Sequence, residues 1–393
     1  MFGSMFIGLS GMNAYSAGLR QVSNNITNLN SSGFRASTLG FNDLFSGSTQ
    51  SGISYTGSSG QQGGDGVSLS DLRLDFSQGE LRQSDRDLDL AVEGSGFLVL
   101  EQDGNYTYAR TGQFEVNDDG DIVLSGTNYR LTVLDGSGRP QSLSIDDYRT
   151  GAPSATTRIE FADNLSSTST EYNVPDVRVF NENGVESTWQ IQFTRDENTA
   201  DEWAVTVTDQ NGDEVGTDTV KFINGAIDPS TTTLTFADAD AGLSVELDFS
   251  EGVTSFSSGE VSTLRASDVD GYGIGEITTL RVNETGHLEI NYSNEQTEDL
   301  GAVALADFRQ PQHLEQQSGG LFTYDSSIGR EFHSSESSRV GRVLSARIEN
   351  SNVDLSKEFG ELILVQRGYQ ASSQIVSVSN DMIQQLFGIT GRG

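Results

Sequence analysis

Imidazole is the commonest protein proton shuttle and metal ligand, so the three histidines, His287, His313 and His333, are the first candidates for chemistry. None is followed by a second ligand at helical i, i+4 spacing, and none sits among the other residues a zinc site needs, so each is expected in a turn or on the surface. The run Asn117-Asp118-Asp119-Gly120-Asp121 offers oxygen ligands in the manner of a calcium loop. An EF-hand loop ends on a glutamate and lies between helices, whereas the flanking FEV and DIVL read as strands, so the run is expected to be a hairpin turn. Glu93-Gly94-Ser95-Gly96-Phe97 is glycine-rich but lacks the Lys-Ser/Thr of a phosphate loop and precedes no helical pattern, which leaves a tight turn or bulge. There is no Gly-x-Ser-x-Gly elbow and no cysteine nucleophile, and with 57 Asp plus Glu residues some carboxylates must fall close together by chance. No catalytic, cofactor-binding or metal-binding residue is assigned, and an enzyme is the least favoured reading.

The informative spacing lies at the two ends. Met5, Met12, Leu19 and Ile26 recur every seven residues, and Tyr15, Val22 and Leu29 form a second row three residues on, as the a and d positions of a heptad do. Gly8, Gly11 and Gly18 are expected to weaken this seam. Toward the other end Leu355, Leu362, Tyr369, Val376 and Ile383 repeat by seven, with Phe359 beside the same stripe. A helix from about Asp354 to Phe387 would be roughly 50 Å long, with Asp354 capping its start and Gly388 ending it. An amphipathic helix ordinarily packs on its own domain's core. Here both stripes are terminal and keep the heptad period, so a helical partner is expected: the other end of the same chain, or the same helices of neighbouring copies.

Composition bounds what lies between. At 393 residues the chain should hold two or three domains. Its 44 glycines, five prolines and plentiful Ser, Thr, Asn and Asp suggest short strands joined by tight turns. Without cysteine there is neither a disulfide nor a thiolate metal site. A formal charge of −34, from 23 Lys plus Arg against 57 Asp plus Glu, opposes association with nucleic-acid phosphates or an anionic membrane surface. Residues 1–42 hold Arg20 and Arg35 and no acid, so the negative charge sits in the middle, and near-neutral ends suit subunits whose ends must crowd together. No run reaches the roughly 18 to 20 apolar residues of a membrane span. The opening MFGSMFIGLSGMNAYSAGLR lacks the pattern of a secretory signal, so export, if it occurs, is expected by another route.

Ser46 to Gly66 is mostly Gly and Ser, the composition of a linker. Period-two alternation begins at Leu72, Leu74 and Phe76 and returns at Phe97 and Val99, at VRVF 177–180 and at WAVTV 203–207. The expected fold is multi-domain and mainly β, with terminal α-helical coiled-coil segments that pair and β domains inserted between them. Residues 1–34 and 350–393 would be the terminal helical polymerisation domain, 35–70 a flexible Gly/Ser-rich linker, 71–150 and 280–349 an inner β domain, and 151–279 an inserted outer β domain.

Both ends also carry motifs. SNNITNLNSSGFR at 23–35, through Asn24, Asn25, Ile26, Asn28, Gly33 and Phe34, resembles one signature of the axial flagellar proteins, the family of rod, hook and hook-associated subunits. ENSNVDLSKEFGELILVQRGYQASSQIV at 349–376 resembles the other, through Ser351, Asn352, Val353, Asp354, Leu355, Glu358, Gln366, Arg367, Tyr369 and Gln370. FSQGEL at 76–81, LDLAVEGSGFLVL at 88–100 and YARTGQF at 108–114 are similar to that family's first β domain. YSNEQTEDLGAVALADF at 292–308 and the extra length are closer to hook than to rod subunits. SARIEN at 345–350 departs from the family by lacking the glycine that often precedes this motif.

The resemblance implies a structural subunit that self-assembles into a hollow helical tube, joins rod to filament and transmits torque as a flexible universal joint. The same-family alternative is a distal rod protein, and the alternative of another class is a secreted β-rich adhesin. Implied partners are further copies of the chain, the distal rod protein, a hook cap protein, a hook-filament junction protein and the flagellar type III export apparatus, with no nucleic acid, membrane or cofactor. The implied place is the flagellar basal body and hook, outside the cell. Polymerisation would run through the terminal seams, Met5, Met12, Tyr15, Leu19, Val22, Ile26 and Leu29 with Leu355, Phe359, Leu362, Tyr369, Val376 and Ile383.

Overall fold

The computed structural model describes residues 2–45, 64–195, 199, 201–259, 261–324, 329–335 and 337–390. They form two compact units, one of Met1–Asp146, Leu280–Glu289 and Asp299–Gly393, the other of Asp147–Thr279 and Ile290–Glu298. The first unit therefore holds both chain ends together with the strands nearest them.

Those ends are α1, Phe2–Thr27, and α2, Leu355–Thr390. Asp354 caps α2 as its position suggests, its Oδ1 accepting the Ser356 and Lys357 amides at 2.8 and 3.2 Å. Gly388 does not end the helix, which continues to Thr390. A single glycine lowers helix propensity by about 1 kcal/mol but stops a helix only when the chain turns left-handed there.

The linker expected over 35–70 needs correction at both edges. β1, Ser37–Phe45, pairs antiparallel with β2, Gly64–Leu74, from Ser37 opposite Leu74 to Phe45 opposite Gly64. Polar and small residues between Leu39, Phe41, Val67, Leu69 and Leu72 mask the alternation in the sequence. Residues 46–63, the heart of the Gly/Ser-rich stretch, lie outside the described residues.

Most of the remainder of the first unit is a twelve-stranded antiparallel system, with strand 81–83 paired separately to 347–349. Its core gathers Phe97, Tyr108, Phe308 and Phe322 from segments far apart in sequence, with Tyr108 edge-on to Phe308 at 4.8 Å between centroids. The glycine-rich 93–97 stretch is a tight turn. Gly94 has φ +133°, and a Cβ there would fall 2.7 Å from the Gly341 Cα. Within SARIEN, which lacks the family's glycine, Ala346 takes φ +52°, a left-handed geometry that costs a residue bearing a Cβ about 1 kcal/mol or more.

In the second unit, strands 171–180, 186–195, 202–208 and 214–223 pair in succession, and strand 158–164 lies parallel to 243–248. Trp189 and Trp203, the only two tryptophans of the chain, are fully buried in its core beside Phe161, Phe193 and Phe249. Phe161 stacks on Phe249 at 4.7 Å.

One turn chemistry recurs through both units. Asn117, Asp135, Asn181, Asp209 and Asn283 each turn a side-chain Oδ1 back to accept the amides two and four residues on. In each the residue at the third position is glycine, with φ between 74° and 87°. This is the three-residue hairpin loop with a left-handed bulge. The Asn117–Asp121 run is thus the expected hairpin turn, joining strands 111–116 and 122–124, and the Asn117 Oδ1 is spent on its own backbone.

Candidate self-association interface

α1 and α2 lie antiparallel in a strict heptad register. Ser4 meets Ser379 with 3.2 Å between hydroxyls, and Asn25 donates from Nδ2 to Glu358 Oε1 at 3.0 Å. Between these layers Gly11 faces Ser372 and Gly18 faces Val365. A Cβ at Gly11 would fall 2.6 Å from the Ser372 Oγ, one at Gly8 would fall 2.7 Å from a Val376 methyl, and one at Gly368 would collide with the Tyr15 ring. Ser4, Gly11, Gly18 and Asn25, and opposite them Glu358, Val365, Ser372 and Ser379, are each spaced by seven. Small residues at that spacing let two backbones approach closely.

The glycines expected to weaken the seam are therefore its contact points. Of the large residues expected in the seam, Val376 and Tyr15 reach across it to Gly8 and Gly368, and most of the others lie beside it. Met5, Met12, Tyr15, Leu19, Ile26, Leu362, Tyr369, Val376 and Ile383 are half-buried, Val22 is buried, and Leu355 and Phe359 are exposed. Leu29 packs outside α1, on Phe34, Ala36 and Val353. The period of seven is present in both helices; on α1 the contact row of Ser and Gly stands one residue from the row of Met and Leu, and on α2 the contact row Glu358, Val365, Ser372 and Ser379 stands three residues on from Leu355, Leu362, Tyr369 and Val376.

Part of what the helix pair shows to solvent is apolar. Phe6 is 70% and Leu364 71% exposed, and Ile7, Leu9, Ile363, Ile375, Val378 and Met382 are exposed as well. At about 100° per residue, Leu364, Ala371, Ile375, Val378 and Met382 line one flank of α2. Arg367, Gln370, Gln374, Ser377, Asp381 and Gln385 form an exposed polar stripe on the side away from α1.

Where the helices enter the β strands, the family motifs make a polar clamp. Asn25, 1% exposed, donates to Ser37 O at 2.8 Å and accepts the Ser37 amide at 3.1 Å, tying α1 to β1 as well as to α2. Asn28 bonds back to Asn24 O at 2.9 Å and closes the last turn. Gly33, at φ +70°, donates its amide to Glu349 O at 2.9 Å, and Phe34 packs with Val353. Asn352 accepts the Ala36 amide at 2.7 Å and donates to Asp75 O and Ser77 O, while Ser351 Oγ receives the Val353 amide. Gln366 and Arg367 stand exposed, away from this clamp.

At its centre is a group the sequence reading passed over. Glu349 is fully buried and accepts Arg35 Nη2 at 2.7 Å and the Gly79 amide at 2.7 Å, with Arg110 Nε at 3.5 Å. Its amide donates to Thr111 Oγ1 at 3.2 Å. Arg110 also donates to the carbonyls of Gly94 and Gly96 and lies 5.3 Å over the Phe97 ring. Burial lowers its pKa to about 10, against the pull of Glu349 and with the push of Arg35. All three stand in family motifs, at 23–35, 108–114 and 349–376, yet nothing local marks them as partners, because the segments carrying them meet only in the fold.

Comparison with known proteins follows the same geography. The family described as flagellar basal body rod FlgEFG protein C-terminal matches residues 344–389, and flagellar hook protein FlgE/F/G D1 domain matches residues 91–164. Flagellar hook protein FlgE of Salmonella typhimurium is 26% identical over 411 residues, covering 97% of this chain and 98% of that protein. Its counterpart from Brucella suis is 28% identical over 416 residues, covering 99% of both. The crystal structure of Helicobacter pylori flagellar hook protein FlgE2 aligns at 11% identity with a TM-score of 0.47, over 68% of this chain and 99% of that one. The two family models fall on the C-terminal signature and on the first β domain, and along nearly its whole length the chain is similar to flagellar hook proteins.

Proposed function

We propose that the chain is a self-assembling structural subunit of the bacterial flagellar hook, a hollow helical tube that joins rod to filament and carries torque through a flexible joint. One observation carries the reading: the terminal helix pair packs Gly8, Gly11, Gly18, Ser372 and Ser379 against itself and turns Phe, Leu, Ile, Val and Met side chains outward. Such a pair buries little apolar area alone, and a patch of that kind marks an interface. The apolar flank of α2 supports lateral contact with the same helices of neighbouring copies, and its polar stripe suits the wall of a water-filled channel. The seam residues from Met5 to Ile383 would complete these contacts from positions beside the helix pair. Relatives matched end to end are hook proteins, which favours the hook over the distal rod. On this reading the finer partners are the distal rod protein, a hook cap protein, a hook-filament junction protein and the flagellar type III export apparatus, at an extracellular site.

Val378→Asn tests the interface. Val378 is 48% exposed, so the substitution should leave the free chain's fold unchanged. Burying a valine in assembly is worth about 1.5–3 kcal/mol, so the concentration at which polymer sediments should rise by about tenfold or more. Unchanged assembly would count against the flank as a contact surface.

A further inference from the structure

The base of the helix pair contains a carboxylate that neither the clamp nor the outer flanks require in its charged form. Glu358 is 2% exposed, and only one of its oxygens is satisfied, by Asn25 Nδ2 at 3.0 Å. The other, Oε2, is buried without a hydrogen-bond partner among the described residues. An ionised carboxylate so placed loses hydration on an oxygen that nothing replaces, whereas a protonated one leaves a neutral group there.

Its surroundings add to this. On α2 itself Glu361 and Asp354 repel a charge at Glu358, and Lys357 attracts one. Lys357 also acts on Asp75, so its charge is shared. From α1 its bonded partner is the uncharged Asn25, which is tied in turn to the uncharged Gln21 and to the uncharged Ser37 of β1. The one charged residue of α1, Arg20, turns to Ser16 Oγ at 3.2 Å. Burial, the largest influence, raises the Glu358 pKa, opposed by the Asn25 bond and supported by Glu361.

We propose that Glu358 makes the junction of α1, β1 and α2 acid-tightened: protonation of this buried carboxylate closes the base of the helix pair, and its ionisation loosens it. The idea goes beyond the hook reading, since it concerns the free chain, and rests on it only for its consequence in the tube. The sign follows from the raised pKa. The stabilising contribution is complete below the ordinary carboxylate range and is lost as pH rises through the raised folded value.

The experiment is amide hydrogen exchange on the unassembled full chain, with protection factors read at residues 355–362 between pH 5 and pH 8. Ordinary Asp and Glu are already ionised across that window, so the background of negative charge is constant. Protection in the parent chain should fall about tenfold with rising pH. In Glu358→Gln, whose amide oxygen keeps the Asn25 bond, protection should stay level, while Glu361→Gln should still fall. The histidines are unchanged in both variants, so any contribution from their titration appears equally in each. A level profile in the parent chain, or a Glu358→Gln profile that falls like the parent's, would overturn the proposal. Should Glu358→Gln fail to fold, infrared titration of the parent and of Glu361→Gln decides instead: if no protonated-carboxyl band survives above the ordinary carboxylate range in either, the proposal is overturned too. A falling parent profile in a chain that never forms tubes would leave the junction standing and the hook reading refuted.

Discussion

Replacing Glu349 with alanine is expected to destabilise the first unit by about 3–5 kcal/mol, the cost of removing one partner from a buried ionic cluster. Arg35 and Arg110 are both buried and share this one carboxylate, so the substitution leaves two guanidiniums facing each other without it. It also strands the Gly79 amide, which donates to the same carboxylate. The second unit offers an internal reference, because both tryptophans lie there. Urea unfolding followed by tryptophan fluorescence should be unchanged, while the far-ultraviolet signal of the first unit melts early. A loss below about 1 kcal/mol would mean that solvent reaches the cluster and screens it.

The second large effect is expected from Gly11→Leu. Leucine raises intrinsic helix propensity by about 1 kcal/mol over glycine, so α1 by itself should become a better helix. Packing decides the outcome the other way. The first added carbon already falls 2.6 Å from Ser372 Oγ, and the rest of the side chain has to drive the helices apart. The chain contains no cysteine, so Ser4→Cys with Ser379→Cys reports the pairing directly, from hydroxyls that stand 3.2 Å apart. Oxidation should close that disulfide almost completely in the parent background and in less than about a tenth of molecules carrying Gly11→Leu. Equal yields would show that the glycine row is not what sets the helix spacing.

How much of this was legible beforehand depends on whether the information was local. Turn chemistry is local, and the Asn117–Asp121 hairpin could be read from an Asx residue, a glycine three positions on and strand-like flanks. The period of the terminal helices is also local, but their contact face is not. Two rows spaced by seven run along each helix, and choosing the row of Ser and Gly over the row of Met and Leu requires knowing that a second helix comes close enough to exclude a methyl group. β1 and β2 escaped notice because the hydroxyl, glycine and aspartate content between Leu39 and Leu72 resembles a linker until the two segments are seen side by side. The meeting of Glu349, Arg35 and Arg110 could not be read although each lies in a family motif, since three single charges from distant segments acquire meaning only where the fold buries them together.

The most direct test of the whole account is electron cryomicroscopy of the polymer formed by the intact chain, at a resolution that places side chains. The expected result is a hollow tube in which Leu364, Ile375, Val378 and Met382 are covered by neighbouring copies while Arg367, Gln370, Gln374 and Asp381 face water along the channel. A tube in which that apolar flank remains in solvent, or one held together with the terminal helices outside every contact between copies, would contradict it.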